Sequence, residues 1–257
     1  MAGGGLLVLG FFAVQNFTAS PVQRLTFEVV QKWPHDTDAF TQGLQVWGDF
    51  FLEGTGGLGK SQLRLVQPES GAVYRSKALA PDEFGEGVCL VGDEIYQITW
   101  KNQIAYVYDA QTFERKRSYS FSGEGWGLTY TGKHLVMSDG SDTLYFRDPQ
   151  SFEVVRTVKV RQGSRAIRQL NELEYVDGFV WANVWQTSEI VKINPSNGAV
   201  VAVLDCRGLL NYSDRTGHED VLNGIAHRAH TDTLFLTGKN WPYIFEIKVR
   251  QSGDPKP

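Results

Sequence analysis

A three-residue pattern, a polar or aromatic residue followed by glycine and then an aliphatic residue, comes round five times along this chain. No other feature restricts the fold as strongly. The copies are Gln42-Gly43-Leu44, Glu86-Gly87-Val88, Trp126-Gly127-Leu128, Asn171-Glu172-Leu173 and Asn223-Gly224-Ile225, and only the fourth replaces the glycine. Their central residues lie 44, 40, 45 and 52 positions apart, a period that belongs to the blades of β-propellers. A second register runs in step with the first. Thr55, Thr99, Asp139 and Val184 each follow a central residue by 12 positions, while Gly238 follows by 14, which puts a longer turn in the fifth repeat.

The loop Gln67-Pro68-Glu69-Ser70-Gly71 recurs as Asp109-Ala110-Gln111-Thr112-Phe113, Asp148-Pro149-Gln150-Ser151-Phe152 and Asn194-Pro195-Ser196-Asn197-Gly198, all rich in turn-forming residues. Short apolar or alternating runs lie between these loops, such as Leu63 to Val66, Ile104 to Tyr108, Thr143 to Phe146 and Ile190 to Ile193, and they read as strands. Glycine is abundant, 27 residues against 9 prolines, which marks many tight turns. The fifth repeat ends near Val249 without a fourth strand, and the segment Leu25 to Lys32 has no repeat of its own. Phe27-Glu28-Val29-Val30 is identical to Phe152-Glu153-Val154-Val155 at the fourth strand of repeat three. The expected fold is therefore all-β, a five-bladed β-propeller over residues 23–250 whose last blade is closed by the N-terminal strand, so that no sheet edge is left open there. Residues 251–257 are expected as a tail.

Composition limits the function classes. A net charge of −4 supplies no basic stripe for a phosphate backbone, so nucleic acid is not an expected partner. Leu6 to Val14 form an apolar run too short to span a bilayer, followed by Thr18-Ala19-Ser20. Residues 1–22 are accordingly expected as a signal or anchor segment of an exported chain, whether secreted, periplasmic or in the secretory-pathway lumen, and no multi-pass membrane domain is expected. The two cysteines, Cys89 and Cys206, have no metal-ligand spacing and read as buried thiols.

In a propeller the first strand of each blade lines the central channel, so the residue before each central position faces the axis. That inner ring is Gln42, Glu86, Trp126, Asn171 and Asn223, a mixture of polar groups and apolar wall suited to a small-ligand pocket. Second-strand positions add Gln97, Trp100, Ser138, Asp139, Ser141, Asn183, Trp185, Lys239 and Trp241. Asn183, Asn223, Ser138, Asp139 and Ser141 are expected to satisfy neighbouring backbone, and Trp33, Trp47 and Trp181 to pack between blades. Glu86 is the only acid in the ring, flanked by Gly85 and Gly87, whose lack of a side chain would let backbone approach a ligand. Near tryptophan walls its proton affinity would rise, fitting it for proton transfer near neutral pH. No Ser/His/Asp set, phosphate loop or HExxH motif is present.

Phe40-Thr41-Gln42-Gly43-Leu44, Phe84-Gly85-Glu86-Gly87, Tyr96-Gln97-Ile98-Thr99-Trp100, Gly125-Trp126-Gly127-Leu128, Leu170-Asn171-Glu172-Leu173-Glu174-Tyr175, Trp181-Ala182-Asn183-Val184-Trp185 and Leu236-Thr237-Gly238-Lys239-Asn240-Trp241-Pro242 together resemble the plant and bacterial glutaminyl cyclases, the glutaminyl-peptide cyclotransferases. The resemblance runs in order from His35 to Ile247 and touches every repeat. It implies a five-bladed propeller, in agreement with the repeat count, and conversion of an N-terminal glutamine of a peptide or protein to pyroglutamate with release of ammonia. By motif match Glu86 would be the proton shuttle, with Gln42, Asn171 and Lys239 as hydrogen-bonding groups of the catalytic set. Trp100, Trp126, Trp185, Gln97 and Trp241 would bind substrate. No cofactor and no catalytic metal is implied, a structural calcium or other metal in the channel is left open, and the expected form is a monomer. Two other readings use the same residues: a calcium-dependent propeller hydrolase of lactonase type, with Glu86, Asn171 and Asn223 as oxygen ligands, and a silent propeller that binds peptide termini.

Overall fold

The computed structural model describes residues 21–253; the apolar run from Leu6 to Val14 lies outside them, as does the end of the expected tail. Three four-stranded antiparallel sheets follow one another along the chain. Blade 1 is β2 (Thr41–Trp47), β3 (Phe50–Thr55), β4 (Gln62–Val66) and β5 (Val73–Ala78). Blade 2 is β6 (Gly85–Val91), β7 (Glu94–Thr99), β8 (Ile104–Asp109) and β9 (Arg115–Ser120). Blade 3 is β10 (Leu128–Tyr130), β11 (Leu135–Met137), β12 (Thr143–Arg147) and β13 (Val154–Lys159). A small hairpin, β14 (Arg161–Gln162) with β15 (Arg165–Ala166), leads into blade 4, made of β16 (Leu170–Val176), β17 (Phe179–Val184), β18 (Glu189–Ile193) and β19 (Val200–Asp205). Blade 5 contains β20 (Leu222–Arg228), β21 (Thr233–Gly238) and β22 (Tyr243–Gln251), and its fourth strand is β1 (Gln23–Pro34), antiparallel to β22. The N-terminal strand thus closes the last blade, as the sequence predicts. Gln23 to Leu25 also pair in parallel with Ala202 to Leu204 of β19, which joins blades 4 and 5 into one eight-stranded sheet.

The core lies between blades. Each of five apolar clusters fills one junction, from Leu52 and Leu63 against Val88 and Ile95 between blades 1 and 2 round to Phe51 and Val66 against Phe235 and Ile244 between blades 1 and 5. Each such buried side chain contributes roughly 1.5–3 kcal/mol, so closing the ring adds a junction that an open array would lack. Cys89 and Cys206 are free thiols inside these clusters, and Trp181 is buried in the junction of blades 4 and 5.

The recurring turn between third and fourth strands is built from Asx geometry, with Asp109 Oδ1 accepting the amides of Gln111 and Thr112, and Asp148 Oδ1 those of Gln150 and Ser151. Its fifth residue takes positive φ in all four copies, at Gly71, Phe113, Phe152 and Gly198. The two phenylalanines accept that conformation because both rings are buried in the core.

The three-residue pattern proves to be a packing device at the channel. A Cβ at Gly87 would stand 2.4 Å from the Leu128 amide nitrogen, and one at Gly43 would stand 2.5 Å from that of Val88. Neighbouring innermost strands therefore approach too closely for any side chain. Gly85 is crowded by the Thr55 carbonyl at 2.7 Å in the same sense. The glycines around Glu86 thus make room for adjacent strands, not for a ligand. In blade 4 the exception, Glu172, crosses the channel: Oε1 accepts from Leu44 N of blade 1 at 3.2 Å and Oε2 from Ile225 N of blade 5 at 2.8 Å.

Candidate active site

At the entry of four of the five innermost strands the pairing with the second strand slips. The register shifts fall between Thr41 and Gly43, Gly85 and Val88, Leu170 and Leu173, and Leu222 and Ile225. Gln42, Glu86, Asn171 and Asn223 sit in these irregularities. A bulge frees a residue from the ladder and re-aims its side chain, and here it points several of them toward one end of the channel. The residue directly after the second strand reaches the same place, since its backbone amide is fixed to the strand-entry segment: Trp100 N donates to the Phe84 carbonyl, Trp185 N to Gln169 and Lys239 N to Val221, each at 2.9 Å. At the same place in the repeat, 13 residues after the central position, blades 1 and 3 carry Gly56 and Gly140, and the rings of Phe84 and Trp126 occupy the space their side chains would need.

These groups enclose a cavity of about 290 Å³ lined by Phe40, Gln42, Phe84, Glu86, Trp100, Trp126, Asn171, Trp185 and Lys239. Seven of the nine residues expected from the sequence to be catalytic or substrate-binding are therefore brought together. Gln97 and Trp241 are not. Gln97 is fully buried within β7, where its Nε2 donates to the Gln62 carbonyl at 3.3 Å behind Gly85. Trp241 packs across Gly238 and edge-on against Phe245, with Nε1 donating to the Asp220 carbonyl at 2.9 Å. Neither side chain is part of the cavity lining, because strand alternation and the turn after β21 direct them toward the inter-blade core.

Phe40, Phe84 and Glu124 are not singled out by sequence reasoning. Each stands three positions before a central repeat residue, so the ruler that locates the inner ring could locate them too. The apolar wall they help to form is a chain of edge contacts: Phe40 to Phe84 at 6.0 Å between ring centroids, Phe84 to Trp100 at 5.7 Å and Trp126 to Trp185 at 5.5 Å. Lys239 Nζ lies 4.7 Å from the centroid of Phe40.

The polar floor is a hydrogen-bonded series across three blades. Asn223 Nδ2 donates to the Thr41 carbonyl at 2.9 Å and to Gln42 Oε1 at 3.1 Å, which fixes the Gln42 amide so that Nε2 donates to Glu86 Oε1 at 3.1 Å. Asn223 thus satisfies neighbouring backbone, as do Asn183 toward Gly224 N and Ser138 toward Gly127 N and the Asn171 carbonyl. Asn171 Oδ1 has no partner among the described residues.

Glu86 is only 4% exposed. Burial pushes its carboxyl well above the ordinary carboxylate range; the Lys239 ammonium opposes this and the Glu124 carboxylate adds to it. Burial likewise draws the Lys239 ammonium down, against the pull of Glu86 and Asp220. The cavity lining therefore includes a carboxyl whose proton affinity burial raises and an ammonium whose proton affinity burial lowers. Among the described residues no cluster of three or more His, Cys, Asp or Glu side chains could hold a metal ion, and no helix is long and apolar enough to cross a membrane.

A family model described as glutamine cyclotransferase matches residues 6–249. Glutaminyl-peptide cyclotransferase from Arabidopsis thaliana is 41% identical over 229 residues, covering 88% of this chain and 72% of the relative. The crystal structure of Myxococcus xanthus glutaminyl cyclase superposes with a TM-score of 0.85 at 35% identity, covering 90% of this chain and 99% of that one. The WD40 β-propeller domain of Doa1 is similar in fold alone, with a TM-score of 0.51 at 7% identity over 80% of this chain and 62% of that domain.

Proposed function

The chain belongs to the glutamine cyclotransferase family, and from that premise we propose how its cavity carries out the reaction. It is an enzyme that cyclises the N-terminal glutamine of peptides and proteins to pyroglutamate with release of ammonia. The observation that carries the mechanism is Glu86, whose Oε1 is held by Gln42 while Oε2 remains available inside an aromatic box beside Lys239 and Asn171.

The box selects the neutral form of the substrate α-amine, whose ordinary pKa of about 7.7–8 makes it accessible near neutral pH. Phe84, Trp100, Trp126 and Trp185 hold the glutamine side chain folded toward that amine, which supplies orientation. Glu86 Oε2 takes a proton from the amine as its nitrogen attacks the side-chain amide carbon. The carbonyl electron pair moves onto oxygen, and Lys239 and Asn171 donate to that oxyanion. Collapse restores the carbonyl and breaks the bond to the amide nitrogen, which receives the proton from Glu86 and departs as ammonia. Gln42 acts by orienting Glu86 rather than by holding the substrate. Each of these steps uses a side chain of this chain, with no cofactor.

The test is ammonia release from a glutamine-initiated dipeptide. We expect release that persists in excess chelator and is lost in Glu86→Gln, with circular dichroism of the variant unchanged. Chelator-sensitive release would favour a metal-dependent hydrolase, and an active Glu86→Gln enzyme would remove Glu86 from the shuttle role. Asparagine-initiated peptides should react far more slowly, because the shorter side chain must close a strained four-membered ring; comparable rates on the two would contradict attack by the α-amine.

A further inference from the structure

The aromatic wall has one joint that is not a ring contact. Between Trp100 of blade 2 and Trp126 of blade 3 no ring-to-ring contact occurs among the described residues; a single carboxylate oxygen bridges them. Glu124 Oε2 accepts from Trp100 Nε1 at 2.7 Å and from Trp126 Nε1 at 3.0 Å. From Trp100 the wall continues to Phe84 and Phe40, and from Trp126 to Trp185. Without this bridge, the five aromatic side chains fall into two separate groups at the boundary between two blades.

We propose that Glu124 is a positioning residue for the cyclisation, acting through the indoles of Trp100 and Trp126 to hold the two halves of the wall in one geometry around the glutamine side chain. Three features support this. An indole nitrogen is a donor only, so each ring orientation is fixed by where its one acceptor lies. A carboxylate acceptor makes these bonds stronger than neutral ones. Glu124 is also tied to one of the rings through its other oxygen, which lies 3.9 Å from Lys101 Nζ, itself 4.0 Å over the Trp100 ring. Glu124 stands outside the cavity lining and stays solvated at its outer edge, so its effect reaches substrate through the two rings.

This inference rests on the cyclase reading, and the experiment separates the two. Ammonia release by wild type establishes the reaction; its absence refutes that reading irrespective of Glu124. In an active background, Glu124→Ala and Glu124→Gln are compared on the plateau of the pH profile, with thermal melting as the control for folding. Removing the acceptor should lower kcat/KM by about 10- to 100-fold, the range associated with ångström-scale misplacement, with KM rising as well as kcat falling. The Gln variant keeps an amide oxygen with two lone pairs and should recover most of that loss. Tryptophan fluorescence should shift in the Ala variant and remain near wild type in the Gln variant. An Ala variant within twofold of wild type would overturn the proposal. So would a Gln variant as impaired as Ala, because the effect would then come from charge and not from the bridge. Should Ala lower the melting temperature sharply, Trp100→Phe and Trp126→Phe provide the second measure: adding Glu124→Gln to either must cost no more than it does alone.

Discussion

In the proposed mechanism Glu86 must be deprotonated to accept a proton from the substrate, and its carboxyl is raised by burial well above its ordinary value of 4.5. Activity therefore rises with pH along an acid limb that lies well above that value. Lys239 is the cation that opposes the rise, so replacing it moves two observables in predictable directions. In Lys239→Met the limb of kcat/KM shifts to higher pH, since Glu86 loses the charge that favoured its ionised form. The plateau also falls by about 100-fold, the typical cost of losing one donor to a developing oxyanion. A limb that moves to lower pH would mean that the titrating group is not a carboxylate facing Lys239. The experiment is a pH profile of ammonia release with both enzymes saturated and unsaturated. The same logic separates Glu86 from Glu174, which burial pushes up to about 8 but whose carboxylate accepts the backbone amide of His227 and lies outside the cavity lining.

The innermost strands explain why much of the site is legible in the sequence and why some of it is not. Repetition at a nearly fixed period marks equivalent positions, so Gln42, Glu86, Trp126 and Asn171 follow from counting back one residue from each central position, and β1 from its likeness to β13. Gln97 and Trp241 belong to motifs as distinctive as those of the cavity residues, yet the direction of a side chain depends on where the register slips and how a turn bends. Neither property is written in residue type. The repeat spacing marks the position of Glu124, but not its two hydrogen bonds to indoles on different blades, which depend on how those blades meet. The hairpin of β14 and β15 carries no repeat signal. The packing role of the central glycines yields its own prediction. In Gly87→Ala the new methyl meets backbone of Leu128 and Gly127 on the neighbouring blade, with nothing flexible to yield. Such overpacking costs about 1–3 kcal/mol, and because Glu86 is the adjacent residue, kcat/KM should fall together with the melting temperature. Wild-type melting by Gly87→Ala would show that the strands can separate and that close approach is not what the glycine secures.

Closure of the ring links stability to the site through one buried clasp. As the chain leaves β1 it places His35 between the closing blade and blade 1: Nδ1 donates to the Trp241 carbonyl at 2.8 Å and Nε2 lies 2.9 Å from Glu53 Oε1, which also accepts from Thr41 Oγ1 at 2.8 Å. With both ring nitrogens donating, the imidazole is fully bonded in its charged form. Burial alone would lower the His35 pKa, but the charge and hydrogen bond of Glu53 and the Trp241 carbonyl together leave it raised above 6.5; burial alone would raise Glu53, but His35 and Arg64 leave it lowered below 4.5. The histidine contribution is complete below pH 6.5 and is lost as pH rises through its folded value. The glutamate contribution is complete above pH 4.5 and is lost as pH falls through its folded value. The clasp should therefore stabilise most between these limits and weaken on both sides. Removing one member of a buried pair costs about 3 kcal/mol, so the stability difference between wild type and His35→Gln should peak within that window and shrink toward alkaline pH. Denaturant unfolding across a pH series measures it, and a difference that is flat with pH would show that His35 acts as a neutral spacer. The clasp also bears on catalysis, because the carbonyl it holds is two residues beyond Lys239 in the turn after β21. His35→Gln should accordingly lower kcat/KM at pH values where the protein remains folded, with its acid limb displaced as Lys239 moves relative to Glu86.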